Sequence, residues 1–241
     1  MTTFLVLLAF VIVTSGIIIL VMVAGIYWLK AERNLRRYEM SNLAVTLGVD
    51  FDPTRRSAEE LDLPSTELYR ITGPCFISNM LRHEAGGQRI QIFDANCSKI
   101  YSRARYGDHH NITLIAIEAA GLGLADFALI RKDFYYMIDP KGAEEGLRLE
   151  GCKDLTDLFY LGCDDPQAME DLFTGQLVRR FVGLLDCNVE LQSGWLFLYK
   201  EGGLLKHQEV MPRVESGLVF LDELMGAVPR VAGKALEYEE S

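Results

Sequence analysis

The residues of this chain best suited to chemistry are Asp108, His109 and His110. Histidine titrates near neutral pH and is a common metal ligand, so a metal site or a proton-transfer site is the first hypothesis. Neighbouring residues of one loop rarely converge on one ion, however, and no other cysteine or histidine stands at ligand spacing. We therefore predict a solvated loop here, with no metal site and no catalytic residue.

Three other patterns resemble catalytic or cofactor motifs, and each lacks an essential part. His83-Glu84 begins as HExxH does, but the fifth position is not histidine and the stretch is strand-like. Cys97 and Arg103 have a phosphatase spacing, without the glycine that frees backbone N–H groups for a phosphate. The glycines of segment 121–123 precede no strand–helix crossover, as a dinucleotide site requires. We expect no enzyme activity and no cofactor.

An apolar segment opens the chain. Phe4 to Leu29 contains no charged residue and no His, Asn, Gln or Pro. As a helix it would be about 39 Å long, more than the ~30 Å hydrocarbon core of a bilayer. Its length, and the lack of a positively charged side chain before it, disfavour a cleaved signal peptide. Because only a helix satisfies its own backbone in lipid, we predict a retained transmembrane anchor over residues 1–29.

Positive charge lies on one side of this anchor only. No Lys or Arg precedes it, and a basic collar follows it, made of Lys30, Arg33, Arg36 and Arg37. The positive-inside rule then predicts an N-terminus outside and a C-terminal domain in the cytoplasm, at a bacterial inner membrane. We interpret the basic collar chiefly as this topology signal, with specific lipid recognition as the alternative.

The remainder of the chain is acidic. Residues 38–241 hold 20 Lys and Arg against 33 Asp and Glu. Such a domain is a poor candidate for nucleic-acid binding, which depends on neutralising phosphates. No CxxC pattern occurs, so neither a zinc ribbon nor a redox pair is indicated. We expect free, mostly buried thiols in a reducing compartment for the five cysteines: Cys75, Cys97, Cys152, Cys163 and Cys187.

Helical and strand-like patterns alternate along the soluble part. A juxtamembrane helix over 30–48 is predicted to bury an apolar stripe of Leu35, Tyr38, Met40, Leu43, Val45 and Leu47. Further helices are predicted at 58–62 behind a capping box at Ser57, from Pro166 to about Leu185, and over 210–228. Hairpins are predicted around Gly86-Gly87 and Ser193-Gly194, with strands at 113–118 and 127–132.

These elements describe an α+β fold. Consecutive strands joined by hairpins predict an antiparallel sheet, and we expect the helices to pack on one side of it. About 200 residues suffice for a single well-buried domain, which we assign to 49–228. The residues 229–241 form an acidic tail that we expect to be frayed.

Four sequence blocks resemble an uncharacterised family of bacterial single-span membrane proteins. They are "LAVTLGVDFDP", "ISNMLRHEAGGQRIQIFDA", "DPQAMEDLFTGQLVRRFV" and "VELQSGWLFLYKEGG", within residues 43–225. The resemblance implies an α+β cytoplasmic domain on a membrane stalk. The family has no assigned activity, so no functional residue is carried over. The chain departs from the family pattern at 95–111.

Two groups of residues are candidates for partner contacts. In the first, Ser15 and Gly16 would admit a neighbouring helix, and Trp28 is placed for an interfacial aromatic belt. Arg33, Arg36 and Arg37 of the basic collar complete this group. The second group lies in the polar segment between two strands and has the residue types enriched at interface hot spots: Tyr101, Arg103, Arg105, Tyr106 and His109.

An anchored acidic domain without a catalytic motif suits a non-enzymatic interaction module. We expect an accessory or stabilising subunit of a larger bacterial membrane complex, with the bilayer and other membrane subunits as partners and no nucleic acid. A photosynthetic or respiratory complex is one candidate assembly, and the sequence does not select one. A membrane-anchored enzyme without a recognisable signature and a homo-oligomeric scaffold remain the alternatives.

Overall fold

The computed structural model describes residues 2–61, 63–73, 75–85, 87–97, 111–119, 121–149, 153–173, 177, 186–200 and 203–239. These residues form a long N-terminal helix followed by an antiparallel sheet, nine-stranded in the described part of the chain, with helices packed on it. The predicted α+β class is therefore confirmed.

The anchor and the juxtamembrane segment form one helix. Helix α1 runs without a break from Thr2 to Leu47. It is the one helix of the described residues that is long and apolar enough to cross a membrane. Gly48 ends it with a φ of 66°, a left-handed conformation that glycine adopts without steric cost.

The nine strands of the described residues pair only in the antiparallel sense. Their order across the sheet is β1-β3-β4-β5-β9-β8-β6-β7, with β2 also on β3. Both predicted hairpins are confirmed: β3 with β4, and β8 with β9. The strands are β1 (Asp50–Asp52), β2 (Arg56–Ser57), β3 (Cys75–Ala85), β4 (Gln88–Cys97), β5 (Asn111–Glu118), β6 (Phe127–Arg131), β7 (Phe159–Cys163), β8 (Asn188–Gln192) and β9 (Trp195–Tyr199).

Five further helices are described: α2 (Glu67–Thr72), α3 (Lys132–Ile138), α4 (Lys153–Leu158), α5 (Pro166–Leu172) and α6 (His207–Glu239). The sequence patterns did not predict α2, α3 or α4. The helix predicted behind Ser57 is a 3₁₀ turn at Ala58–Glu60, because the Ser57 side chain makes no capping hydrogen bond. Helix α5 begins at Pro166 as predicted; of its predicted continuation to Leu185, residues 178–185 lie outside the described residues. Helix α6 continues beyond the predicted end at 228.

Helices cover both faces of the sheet, so the expectation of helices on one side was wrong. Helices α1, α5 and α6 pack on one face, which we name the α1 face. Helices α2 and α3 pack on the other, which we name the α2 face. Strand β5 shows the reason, because Ile112 to Ile117 are all buried. A strand buried on both faces is continuously apolar, and this run was visible in the sequence.

The predicted apolar stripe of α1 was also wrong in part. Leu35, Tyr38 and Val45 are exposed. Met40 and Leu43 are buried as predicted, together with Arg36 and Ala44, which the prediction did not include. The predicted stripe was shifted toward the exposed side of the helix, because a pattern restricted to apolar residues excludes Arg36.

Candidate functional site at the junction of helix and domain

Arg36 joins the membrane helix to the sheet. Its side chain is only 8% exposed. The guanidinium donates from Nε to Asp94 Oδ2 and from Nη2 to Asp94 Oδ1, with both distances 2.9 Å. This bidentate geometry is the strongest arrangement available to an arginine and a carboxylate. The expectation that Arg36 contacts a partner protein is therefore corrected, since Arg36 is committed to its own domain.

The remaining polar atoms of this junction are paired as well. Arg36 Nη1 donates to the Leu205 carbonyl at 2.8 Å, and Nη2 also donates to Thr113 Oγ1 at 3.0 Å. Thr113 Oγ1 donates to Asp94 Oδ1 at 2.9 Å and accepts from the Leu205 N–H at 3.0 Å. The hydroxyl thus uses its one donor and both acceptor positions. The network connects α1, the sheet and the segment before α6.

The sheet places these partners side by side. Asp94 and Thr113 are directly opposite in the β4–β5 register, and Ser78 is opposite Asp94 in the β3–β4 register. A bulge follows Ser78, where Asn79 has a φ of 54°. From there Asn79 Nδ2 donates to Asp94 Oδ2 at 3.0 Å. The Asp94 carboxylate thus accepts four hydrogen bonds, and the guanidinium of Arg36 stays protonated. Because neither side chain is left open for a ligand, we assign the pair a structural role.

A second buried polar cluster lies on the α2 face, around Glu190 of β8. The Glu190 carboxylate is fully buried. It accepts from the Tyr199 hydroxyl at 2.7 Å and from the backbone N–H groups of Glu67 and Leu68 at 2.5 and 3.1 Å. Burial raises the pKa of Glu190 to about 7, although these three donors favour the charged form. The carboxylate holds the start of α2 on the sheet.

The cluster extends outward through Glu67. Glu67 accepts from the Tyr135 hydroxyl at 2.7 Å and forms an ion pair with Arg70. The Tyr135 ring stacks on Tyr160 with 4.2 Å between ring centroids. Sequence reasoning missed this cluster. The signal was a glutamate in the middle of a strand whose other residues are apolar or amide side chains, since a charged residue in such a position needs buried partners.

Two cysteines form a disulfide, which contradicts the expectation of free thiols. Cys75 and Cys97 are directly opposite on β3 and β4, with 4.1 Å between their Cα atoms. The hairpin register creates this pairing, which spacing along the sequence does not reveal. Cys163 and Cys187 are free, and Cys152 lies outside the described residues. A disulfide is typical of oxidising compartments. The cysteines therefore no longer support a reducing compartment, and the orientation rests on the charge asymmetry alone.

Removing this disulfide is expected to destabilise the domain. For two cysteines separated by 22 residues, loss of the constraint on the unfolded chain costs about 3 kcal/mol. We expect the Cys75→Ser, Cys97→Ser variant to show this loss in denaturant unfolding of the oxidised full chain. The half-buried free cysteine serves as the control, with Cys163→Ser changing the free energy of unfolding by less than about 1 kcal/mol. Equal denaturant midpoints for the Cys75→Ser, Cys97→Ser variant and for Cys163→Ser would show that the disulfide is not formed.

Most of the other predicted contact residues of the anchor are exposed. Ser15, Gly16, Trp28, Arg33 and Arg37 all face outward from α1. A Cβ built on Gly16 would meet nothing within 4 Å. The second predicted group lies outside the described residues, as do Asp108 and His110: Tyr101, Arg103, Arg105, Tyr106 and His109.

The described residues offer little for a small ligand. Within them, no group of three or more His, Cys, Asp or Glu side chains is arranged to hold a metal ion. A surface pocket of about 360 Å³ lies beside α3, away from the junction. Its lining is mixed in charge and consists of Lys132, Tyr136, Ala143, Glu144, Gly146 and Arg148.

The fold and the junction indicate a single-span membrane protein whose α+β domain packs on the continuation of its own anchor. The chain matches no protein-family model and no curated protein. Among solved structures it is similar to the mycobacterial trehalose monomycolate transport factor A, TtfA, with 14% sequence identity and a TM-score of 0.49. The alignment covers 81% of this chain and 94% of that one. A likeness this distant carries no argument about the function of this chain.

Proposed function

We propose that this chain is a non-enzymatic accessory or stabilising subunit of a larger bacterial membrane protein complex. Its anchor crosses the inner membrane with the N-terminus outside, and the domain lies in the cytoplasm. The partners are the bilayer and other membrane subunits.

The junction at Arg36 is the observation that carries this proposal. Helix α1 passes from the anchor into the domain without a linker. The buried ion pair of Arg36 and Asp94 attaches the helix to the sheet, and we propose that it holds the rotation and the height of the domain relative to the anchor. A domain held in this way presents the same surface at the same distance from the bilayer, which suits a subunit that packs against fixed neighbours.

The outward face of α1, made of Leu35, Tyr38 and Val45, is the surface we propose for a partner subunit. These side chains are 59%, 64% and 79% exposed. They recur at helical spacing on the side opposite the domain, and they continue the exposed apolar surface of the anchor past the basic collar. A neighbouring transmembrane helix that extends beyond the bilayer would cover them.

Site-specific photocrosslinking tests this proposal in native membranes. We expect a photoreactive phenylalanine at Tyr38 to form a discrete adduct with another membrane protein. The matched control is Tyr136 of α3, an exposed tyrosine away from α1, which should give no such adduct. Both aromatic side chains are exposed, so either substitution should leave the fold intact.

The crosslinking pattern separates the alternatives. An adduct of the chain with itself would replace the accessory-subunit hypothesis with the homo-oligomeric scaffold. Equal labelling from positions 38 and 136, or lipid adducts alone at position 38, would contradict the proposal that the outward face of α1 binds a subunit.

A further inference from the structure

An exposed aromatic residue and an arginine stand together at one end of the sheet. Phe76 of β3 is 45% exposed. The Arg55 guanidinium lies over its ring, 4.2 Å from the centroid. Because Ile77 belongs to the core of the α2 face and alternate residues of a strand point in opposite directions, Phe76 projects on the α1 face.

The strand register shows that this end of the sheet points toward the membrane. Helix α1 leaves the bilayer and descends to Leu47, where the chain turns into β1. Strand β1 pairs with β3 from Arg82 to Met80, and β2 continues the pairing to Ile77 and Phe76. The chain therefore runs back toward the membrane between Asp50 and Ser57, and the Phe76 end of β3 is the membrane-proximal end.

The Arg36 junction gives the approximate depth of Phe76. Arg36 binds Asp94, and Asp94 is opposite Ser78. Phe76 lies two residues closer to the membrane, about 7 Å along the strand. Arg36 itself is about 10 Å below Leu29 along α1. With Leu29 at the edge of the hydrocarbon core and β3 running along α1, Phe76 is about 4 Å below that edge, within the ~5–8 Å headgroup layer of a bilayer.

We propose that Phe76 and Arg55 form a second membrane contact, in which the domain docks on the phospholipid headgroups beside its own anchor. The Phe76 ring enters the boundary of headgroups and acyl chains, a depth at which aromatic rings are enriched. Arg55 binds a lipid phosphate through its planar donor fork. The exposed Arg33, about 6 Å below Leu29 on α1, lies at a similar depth and attracts the same phosphates.

The charges around Arg55 indicate that it recognises the phosphate group of a lipid, and not the net negative charge of anionic lipids. Glu59 and Glu60 lie in the 3₁₀ turn after β2 and are exposed, so they offset the arginines. A contact through Arg55 and a phosphate forms with any phospholipid, whereas a broad basic patch would require anionic lipid. The contact therefore depends on this pair of side chains.

Fluorescence quenching of the purified full chain in lipid nanodiscs tests the contact without any partner protein. A fluorescent amino acid with a naphthalene ring is placed at position 76, or at position 45 as the matched control. Val45 is also exposed but lies about 13 Å beyond Arg36, away from the bilayer. We expect a blue-shifted emission and quenching by headgroup-labelled nitroxide lipids at position 76 only, in phosphatidylcholine alone as well as with phosphatidylglycerol added.

The Arg55→Gln change is expected to remove most of the lipid quenching at position 76. Full exposure of position 76 to an aqueous quencher, as at position 45, would overturn the proposal. Quenching that appears only with phosphatidylglycerol would replace the phosphate contact by a diffuse electrostatic one and so would contradict it too. Because no other subunit is present, this result is independent of the proposed function.

Discussion

Replacing Arg36 with methionine is expected to lower the free energy of unfolding of the domain by about 3–5 kcal/mol, the largest effect that we predict for a single substitution. The substitution leaves the Asp94 carboxylate buried without its cation, and a buried unpaired charge is costly. The measurement is denaturant unfolding of the full chain in mild detergent, followed by circular dichroism. Arg33→Met and Arg37→Met are matched controls on the same helix, because both arginines are exposed; each should change the free energy by about 0.5 kcal/mol or less.

A double substitution separates two costs: the loss of the ion pair between Arg36 and Asp94, and the burial of an unpaired Asp94 carboxylate. Arg36→Met with Asp94→Leu removes both charges and should recover most of the loss of the single variant, since apolar pairs often replace buried ion pairs at little cost. The distance between spin labels on the anchor and on the sheet should be narrowly distributed in the wild type and broad in Arg36→Met. Identical behaviour of Arg36→Met and Arg37→Met would contradict a rigid junction at Arg36.

The stability of the domain is expected to fall as the pH rises from 4.5 to 7, through Glu190. The pKa of this carboxyl is about 7 in the folded chain, above its ordinary value of 4.5. Protonation is therefore favoured by folding, so the stabilisation is full below pH 4.5 and is lost as the pH passes 7. The shift corresponds to about 3 kcal/mol over this range. Free energies of unfolding measured from pH 4.5 to 8 test the prediction.

Two variants assign this pH dependence to Glu190. The Glu190→Gln variant has no titratable group at this position. Its free energy of unfolding should therefore no longer fall between pH 4.5 and 7, whatever its value at any one pH. Tyr199→Phe removes a donor that favours the charged carboxylate, so the pKa of Glu190 should rise and the decline should extend to higher pH. The Glu67, Arg70, Tyr69 and Tyr135 side chains around it are unchanged in both variants. A decline that persists in Glu190→Gln would contradict the assignment of the pH dependence to Glu190.

The elements that the sequence predicted well are those with strong local signals. Gly87 and Gly194 both have positive φ in the turns of the two predicted hairpins. Asp165 and Pro166 set the start of α5, where the Asp165 side chain accepts from the Ala168 N–H. Such signals act within a few residues, so they are legible without knowledge of the fold.

The features that the sequence did not predict depend on contacts between distant residues. Arg36 is buried because Asp94 and Thr113 meet it across the fold, and in isolation it is one basic residue among four. The disulfide of Cys75 and Cys97 requires the hairpin register, and Glu190 requires the docking of α2. In each case the side chain stabilises the fold through a partner that is distant in the sequence, so the spacing of residues along the chain does not predict the contact.

The most direct test of the accessory-subunit proposal is a pull-down of the intact chain from native membranes in mild detergent. Its readouts are the mass of the purified particle and the identity and stoichiometry of the proteins in it. The proposal predicts a particle much larger than the 27.1 kDa chain, with other membrane proteins present in a fixed ratio. A chain that is recovered alone, or only with copies of itself, would contradict it.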